Sequence, residues 1–246
     1  MSARPRVFVA GAAGAIGRRL CPLLLEAGWT VIGTTRSREK AAGLEAMGVE
    51  PVIVDVFDAD TLKRAVRSAE PDVVMHQLTD LPPALDPARM EQARLRNARI
   101  REEGTANLVA AAVSAGAGRL VAQSIAFAYA PGETPYREDA PLDLDDPGMG
   151  VTARAVASLE EQVLNAPMEG VVLRYGRLYG PGTGFGSPAS AGPLHVDAAA
   201  YAALLAATDG ESGVYNVAED DGTVSSERAL RDLGWRADFR LEQRLG

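Results

Sequence analysis

Residues Arg6 to Leu20 read RVFVAGAAGAIGRRL. The apolar run Val7–Ala10 predicts a buried strand, and Leu20, Leu23 and Leu24 then recur at helical spacing. Gly11, Gly14 and Gly17 lie between them. A strand, a glycine turn and a helix N-terminus together make a seat for an anion. Glycine lets the backbone turn tightly and approach a pyrophosphate, while the first helical turn presents unpaired N–H groups and a positive dipole end. The spacing is GxxGxxG, one residue wider in its first gap than the GxGxxG dinucleotide fingerprint.

Strands and helices alternate from this point. Strands are expected at Thr30–Thr35, Pro51–Val54, Asp72–Gln77 and Arg119–Ser124. Helices are expected over about Arg38–Met47, Ala59–Ser68, a long stretch Arg89–Ala115, and 152–165. A Pro-containing loop, Leu81–Pro87, precedes the long helix. Such alternation predicts an α/β fold, a doubly wound parallel sheet of the Rossmann type. With 246 residues, 47% of them hydrophobic, the chain suits one NAD(P)-binding domain over 1–246, with 175–246 contributing a small substrate lobe. A short helix, Ser226–Leu233, closes it.

The net charge of −8 and pI near 4.9 argue against a nucleic-acid partner. Residues 1–5 lack a signal-peptide core and no run reaches the length of a membrane span, so a cytoplasmic protein without membrane attachment is expected. Cys21 is the sole cysteine and reads as a small buried apolar residue. His76 and His195 are far apart and have no cysteine partner, so no metal site is expected. No GxSxG elbow occurs. Glu133, Glu138, Asp139, Asp143, Asp145 and Asp146 crowd a proline-rich stretch that reads as a solvated acidic loop, with a lid as the alternative.

The end of the second strand decides the ribose end of a dinucleotide. An acidic residue there would suit NAD. This chain has Thr34, Thr35, Arg36, Ser37 and Arg38, and arginine with hydroxyls suits a 2′-phosphate, which predicts NADP with NAD as the alternative. Asp55, after the third strand, is a candidate contact to adenine or a cap for the next helix.

Several segments resemble the short-chain dehydrogenase/reductase superfamily, in its extended NAD(P)-dependent epimerase/dehydratase branch. They are GAAGAIG, VDVFD at Val54–Asp58, DVVMHQL at Asp72–Leu78, EGTANLVAAA at Glu103–Ala112, LRYGRLYGPGT at Leu173–Thr183, and LHVDAAAYAALLAA with VYNVAED. The resemblance implies that Gly11, Gly14, Ala15, Ile16 and Gly17 hold a pyrophosphate and that Arg36, Asp55 and Val56 face the adenosine end. It places Gln77, Leu78, Ser124 and Tyr175 along the nicotinamide half. It also implies a small-molecule substrate and a homodimer paired through the alanine-rich helices.

The family's chemistry does not carry across. It needs a tyrosine as general acid/base and a lysine four residues later. Aligning Glu161-Gln162 with the family's helix puts Ala153 and Ala157 in those slots, and no YxxxK occurs in the chain. Of the usual serine pair, Ser124 fills the first place and Ile125 the second. The asparagine expected three residues before Gly104 is Arg101. Ser124 and Tyr129 are the replacement candidates for polarising a substrate; for Tyr129 the competing role is packing with its hydroxyl on the protein. Tyr175, Tyr179, His76 and His195 read as structural. Three readings follow: an atypical NADP-dependent oxidoreductase or epimerase/dehydratase-like enzyme on a small, fairly apolar organic substrate, in which Tyr129 or Ser124 polarises the substrate or the substrate supplies its own reactivity; a non-redox isomerase or cyclase that reuses the pocket; or a protein that binds NADP as a sensor or scaffold without turnover. After GPGTGFG only about ten residues lead to His195, where the family has a longer insertion, so a reduced substrate lobe is expected.

Overall fold

Seven parallel strands in the order β3-β2-β1-β4-β5-β6-β9 form the central sheet of the computed structural model, which describes residues 4–82 and 85–241. The strands are β1 Arg6–Ala10, β2 Thr30–Thr35, β3 Glu50–Ile53, β4 Val73–His76, β5 Arg119–Ile125, β6 Glu169–Tyr175 and β9 Gly213–Val217. The helices are α1 Gly17–Glu26, α2 Arg38–Ala46, α3 Ala59–Ala69, α4 Met90–Arg99, α5 Thr105–Ala115, α6 Gly150–Leu164, α7 Val196–Leu205 and α8 Glu227–Leu233. Residues 1–3 and the 83–84 part of the proline loop lie outside the described residues. Among the described residues no helix is long and apolar enough to cross a membrane.

The sheet has a core on each face, because successive side chains of a strand point to opposite sides. Val7 and Val9 of β1 join Leu20 and Leu24 of α1 and the alanines of α7 on one face. Phe8 and Ala10 join Leu62 and Val66 of α3, Leu108 of α5 and Leu159 of α6 on the other. α7 is apolar around most of its girth, with Ala198, Ala199, Ala200, Ala202 and Ala203 all fully buried. It packs on α1, and the Arg19–Asp197 ion pair at 3.2 Å joins the two helices.

The expected long helix runs from Met90 to Ala115 as α4 and α5 with a π turn inside it. Residues Ile100–Gly104 form one π turn between α4 and α5. β5 runs one residue beyond the expected Ser124, to Ile125. The C-terminal lobe is small. β7 Arg177–Tyr179 pairs in parallel with β8 Pro193–His195 as a separate two-stranded sheet, and β9 returns to the main sheet beside β6.

The chain order reverses between β1 and β4. Their carboxyl ends therefore open a crevice, the place where an open α/β sheet binds its ligand.

Candidate functional site: a dinucleotide crevice with a modified reaction centre

Gly11 leaves β1 with φ +93°, a conformation that L side chains rarely adopt, and a Cβ there would strike the backbone carbonyl of Gln77. At Gly17 a Cβ would lie 2.5 Å from the carbonyl oxygens of Gly11 and Ala12. Two of the three glycines thus have a steric reason of their own. The turn is pinned by Gly14 N–H donating to the Gly11 carbonyl at 3.0 Å and by Gly11 N–H donating to Thr34 Oγ1 at 3.2 Å. Among the described residues no partner accepts from the N–H groups of Ala15, Ile16 or Gly17. These amides open α1, so the donor set there suits a diphosphate.

Beside this turn lies a cavity of about 300 Å³ across the ends of β1 to β4. Gly11, Gly14, Arg36, Asp55, Val56, Gln77 and Leu78 line it, with Thr34, Thr35, Ser37 and Lys40. Arg36 is an exposed cation that reaches Asp80 at 3.4 Å. Ser37 caps α2 by accepting from Lys40 N–H at 3.3 Å. The cap brings the first turn of α2 to the rim, and Lys40 with it. Sequence reasoning passed over Lys40; its signal was a lysine three residues past a capping serine at the end of β2. Asp55 does not cap α3. Its carboxylate accepts from Phe57 N–H at 3.0 Å, and Asp58 is the cap, accepting from Thr61 N–H at 3.0 Å.

Toward the other end of the crevice, Gln77 and Tyr175 are buried, 4% and 2% exposed. Their side chains face one another, yet neither Gln77 amide atom nor the Tyr175 hydroxyl closes a hydrogen bond of ordinary geometry. Burial pushes the Tyr175 phenol far above its usual range. Buried polar atoms left without a bond are destabilising unless a ligand completes them. A nicotinamide carboxamide or ribose has donors and acceptors of the required kind. The segment after β6 folds over the start of α1: Gly182 sits near Ala15, and Leu85 packs against Gly184.

Ser124 and Tyr129, the residues expected to polarise a substrate, are placed differently. Ser124 points to the α6 face of the sheet and donates to Glu160 Oε1 at 2.7 Å. Glu160 also receives Arg174 Nε at 2.8 Å and Nη2 at 2.6 Å, and Arg174 and Glu160 side chains are 6% and 8% exposed. Tyr129 Oη donates to Asn216 Oδ1 at 2.5 Å and accepts from Arg174 Nη1 at 2.9 Å. Asn216 N–H donates to Glu138 Oε1 at 2.9 Å, so one of the acidic-loop carboxylates is structural. Burial is the largest influence on the Tyr129 phenol and raises it, with Arg174 opposing. A hydroxyl committed to a carboxylate and a phenol made less acidic are poor proton donors. In the structure both belong to one hydrogen-bonded network tying β5, β6, β9 and α6 together. Sequence reasoning missed the Glu160–Arg174 pair, because a charged residue on a strand reads as an edge position.

Ala153 is fully buried on α6, with Ala157 one turn on along the same face. His76 is 1% exposed, and burial pulls it down to about 4. Its Nδ1 accepts from Leu78 N–H at 3.4 Å, which leaves Nε2–H to donate to Thr105 Oγ1 at 3.1 Å. His195 caps α7 by accepting from Asp197 N–H at 3.2 Å. Tyr179 donates to Glu219 at 2.8 Å and Arg240 donates to Tyr179 at 3.1 Å. Among the described residues no cluster of three metal-ligating side chains occurs.

A parallel sheet with its crevice at the β1/β4 reversal, a glycine turn at a helix start and a cation-lined β2 end define a Rossmann-type dinucleotide-binding enzyme. The chain belongs to the NAD dependent epimerase/dehydratase family, whose model matches residues 7–212. It is an NAD(P)-dependent enzyme of the oxidoreductase or epimerase type. It is 42% identical to a Streptomyces protein named 3-diazoavenalumate denitrifying reductase, over 90% of this chain and 78% of that one. Among solved structures, it resembles the Thermotoga maritima UDP-glucose 4-epimerase with UDP-glucose (TM-score 0.77, 18% identity, 97% of this chain and 95% of that one). It also resembles the Bordetella bronchiseptica enzyme WbmH with NAD+ (TM-score 0.75, 20% identity, 97% and 95%). At these identities the structural likeness concerns the fold.

Proposed function

We propose that this protein is an NADPH-dependent reductase for an electrophilic carbon whose leaving group departs without being protonated, with diazo-bearing aromatic compounds as the substrate class. The observation that carries the reading is Ala153 and Ala157 in the tyrosine and lysine slots, while Ser124 and Tyr129 are engaged elsewhere. Reduction of a carbonyl leaves an alkoxide that requires a proton, and a positioned acid is worth about 10²- to 10⁴-fold in rate. Reduction of an aryl diazonium is different. The hydride pair forms the new C–H bond, the C–N pair leaves with N2, and no proton is transferred. The Streptomyces relative named as a denitrifying reductase supports this chemistry.

When bound, the reduced nicotinamide supplies the hydride. The chain's own residues then bind and orient. Gly11, Gly14, Ala15, Ile16 and Gly17 hold the pyrophosphate, and Arg36 with Lys40 faces the 2′-phosphate, favouring NADP over NAD. Asp55 and Val56 border the adenine; Gln77, Leu78 and Tyr175 border the nicotinamide half, where Ser124 acts only through the network behind it. Positioning supplies the catalysis that proton transfer supplies in relatives.

A homodimer through α4, α5 and α6 fits the exposed Leu95, Val113, Val151 and Leu164 on those helices. The test of function is consumption of NADPH with release of N2 from ortho-hydroxybenzenediazonium, set against a panel of aldehydes and ketones. Turnover of the diazonium alone supports the proposal. Turnover of carbonyls at comparable rates, or NADPH binding without consumption of any compound, overturns it.

A further inference from the structure

A second cavity, of about 130 Å³, lies beyond the carboxyl ends of β5 and β6. The two strands pair as far as Ile125 and Tyr175, and Ala126 N–H donates to the Tyr175 carbonyl at 2.8 Å. Phe127 and Arg177 each follow two residues later, and both line the cavity. It therefore sits just past Tyr175, which borders the proposed nicotinamide half. Its other walls include the Tyr129 and Tyr136 rings, stacked at 5.1 Å with 15° between their planes. Both hydroxyls are engaged: Tyr129 with Asn216 and Arg174, and Tyr136 by accepting from Gly132 N–H at 3.1 Å. The tyrosines thus offer the cavity aromatic carbon. A dry cavity of about 150 Å³ accepts benzene, so this one has room for about one ring.

Arg177 is the one charged residue among the described residues that line this cavity. Its guanidinium carbon lies 4.2 Å from the centroid of the Phe127 ring. Three other arginines stack on rings, and each of them also has an acidic partner. Arg99 on Phe57 pairs with Glu103, Arg174 on Tyr129 pairs with Glu160, and Arg228 on Tyr215 pairs with Asp232. The Arg177 guanidinium has no acceptor or ion-pair partner among the described residues, although the chain carries 33 acidic residues against 25 basic ones. Stacking occupies the face of a guanidinium and leaves its N–H groups along the edge. That edge is a planar fork whose geometry matches a carboxylate bidentately. The cavity thus joins a ring-sized aromatic slot to a cation already oriented by Phe127.

We infer that this cavity seats the ring of an aromatic carboxylic acid, with Arg177 gripping the carboxylate, so that the preferred substrate of the reductase is a carboxylated arene. This rests on the reductase reading for what the substrate undergoes, and on the cavity alone for what the substrate carries. The carboxylate takes no part in the bond changes. It fixes one end of the ring, which is the positioning that a site without a protein acid depends on.

The test reads binding, so it stands whether or not diazonium turnover is found. The protein, with saturating NADPH to occupy Arg36 and Lys40, is titrated calorimetrically with para-nitrobenzoate and with its neutral methyl ester. The wild type is expected to bind the acid at least about 10-fold more tightly than the ester, a preference typical of charge-assisted hydrogen bonds. In Arg177→Gln the preference disappears, and Arg177→Lys keeps part of it because a point charge replaces a planar fork. The Tm of Arg177→Gln is expected to stay within about 2 °C of wild type, since this arginine has no partner to lose. A merely structural stack would give the opposite pattern, a lower Tm with the acid preference intact. Equal affinity of the wild type for acid and ester, or an undiminished preference in Arg177→Gln, overturns the inference. Should Arg177→Gln fail to fold, the wild-type comparison and Arg177→Lys decide. Acid preference without consumption of any diazonium compound would sink the reductase reading and leave this one standing; diazonium turnover with equal affinity for acid and ester would do the reverse.

Discussion

Replacing Ser124 with alanine separates a structural hydroxyl from a catalytic one. In the structure this hydroxyl donates to Glu160 Oε1 at 2.7 Å inside the sheet–α6 interface. A hydrogen bond to a charged group contributes about 1.5–3 kcal/mol. Here the same oxygen keeps Arg174 Nε at 2.8 Å, so the loss falls near the lower end, about 1.5 kcal/mol. For a chain of this size each kcal/mol shifts Tm by about 2–4 °C, which gives a fall of about 3–6 °C. Catalysis is expected to stay within about three-fold of wild type, because no proton passes through Ser124, whereas loss of a general acid lowers rates by about 10²-fold or more. Differential scanning fluorimetry and initial rates of NADPH consumption on the same preparation make the assay. An unchanged Tm together with a hundred-fold loss of kcat would refute the reasoning and restore Ser124 as a substrate-polarising residue. Tyr129→Phe is the companion variant, expected to destabilise through Asn216 and Arg174 with the same small effect on rate.

Three further outcomes follow from the site. Arg36→Ala combined with Lys40→Ala is expected to weaken NADPH binding by about 10-fold or more while leaving NADH within about two-fold, as isothermal titration would show, since only the former carries a 2′-phosphate. Gly11→Val is expected to abolish dinucleotide binding, because its Cβ meets the Gln77 carbonyl and its φ of +93° disfavours a β-branched residue; nicotinamide fluorescence on mixing reads the loss. His76 has a folded pKa pulled by burial from 6.5 to about 4. Below 6.5 the unfolded chain binds a proton that the folded one does not, so its contribution is complete above that pH and declines as pH falls toward 4, by about 3 kcal/mol in all. His76→Asn is expected to flatten Tm against pH over that window.

The alternation of apolar runs and glycine turns made the sheet legible, and β2 runs over the expected Thr30–Thr35. The long helix was legible in extent but not in its interruption, because a π turn adds one residue without changing the apolar pattern around it. Gly11 and Gly17 were readable because strand, turn and helix are contiguous in sequence. The Glu160–Arg174–Ser124 network was not. Its members lie on separate elements, and their pairing depends on which face of β5 and β6 meets α6. Arg101 showed in the sequence only as a departure from asparagine.

Deuterium transfer tests the central claim, hydride delivery without a protein acid, most directly. The enzyme would turn over ortho-hydroxybenzenediazonium with NADPH carrying deuterium at nicotinamide C4, and the phenol would be analysed by mass spectrometry and NMR. The account predicts one deuterium, from the labelled C4 face, on the carbon that lost N2, with one N2 released per NADPH oxidised. Solvent hydrogen at that carbon, or oxidation of NADPH without N2, would contradict it.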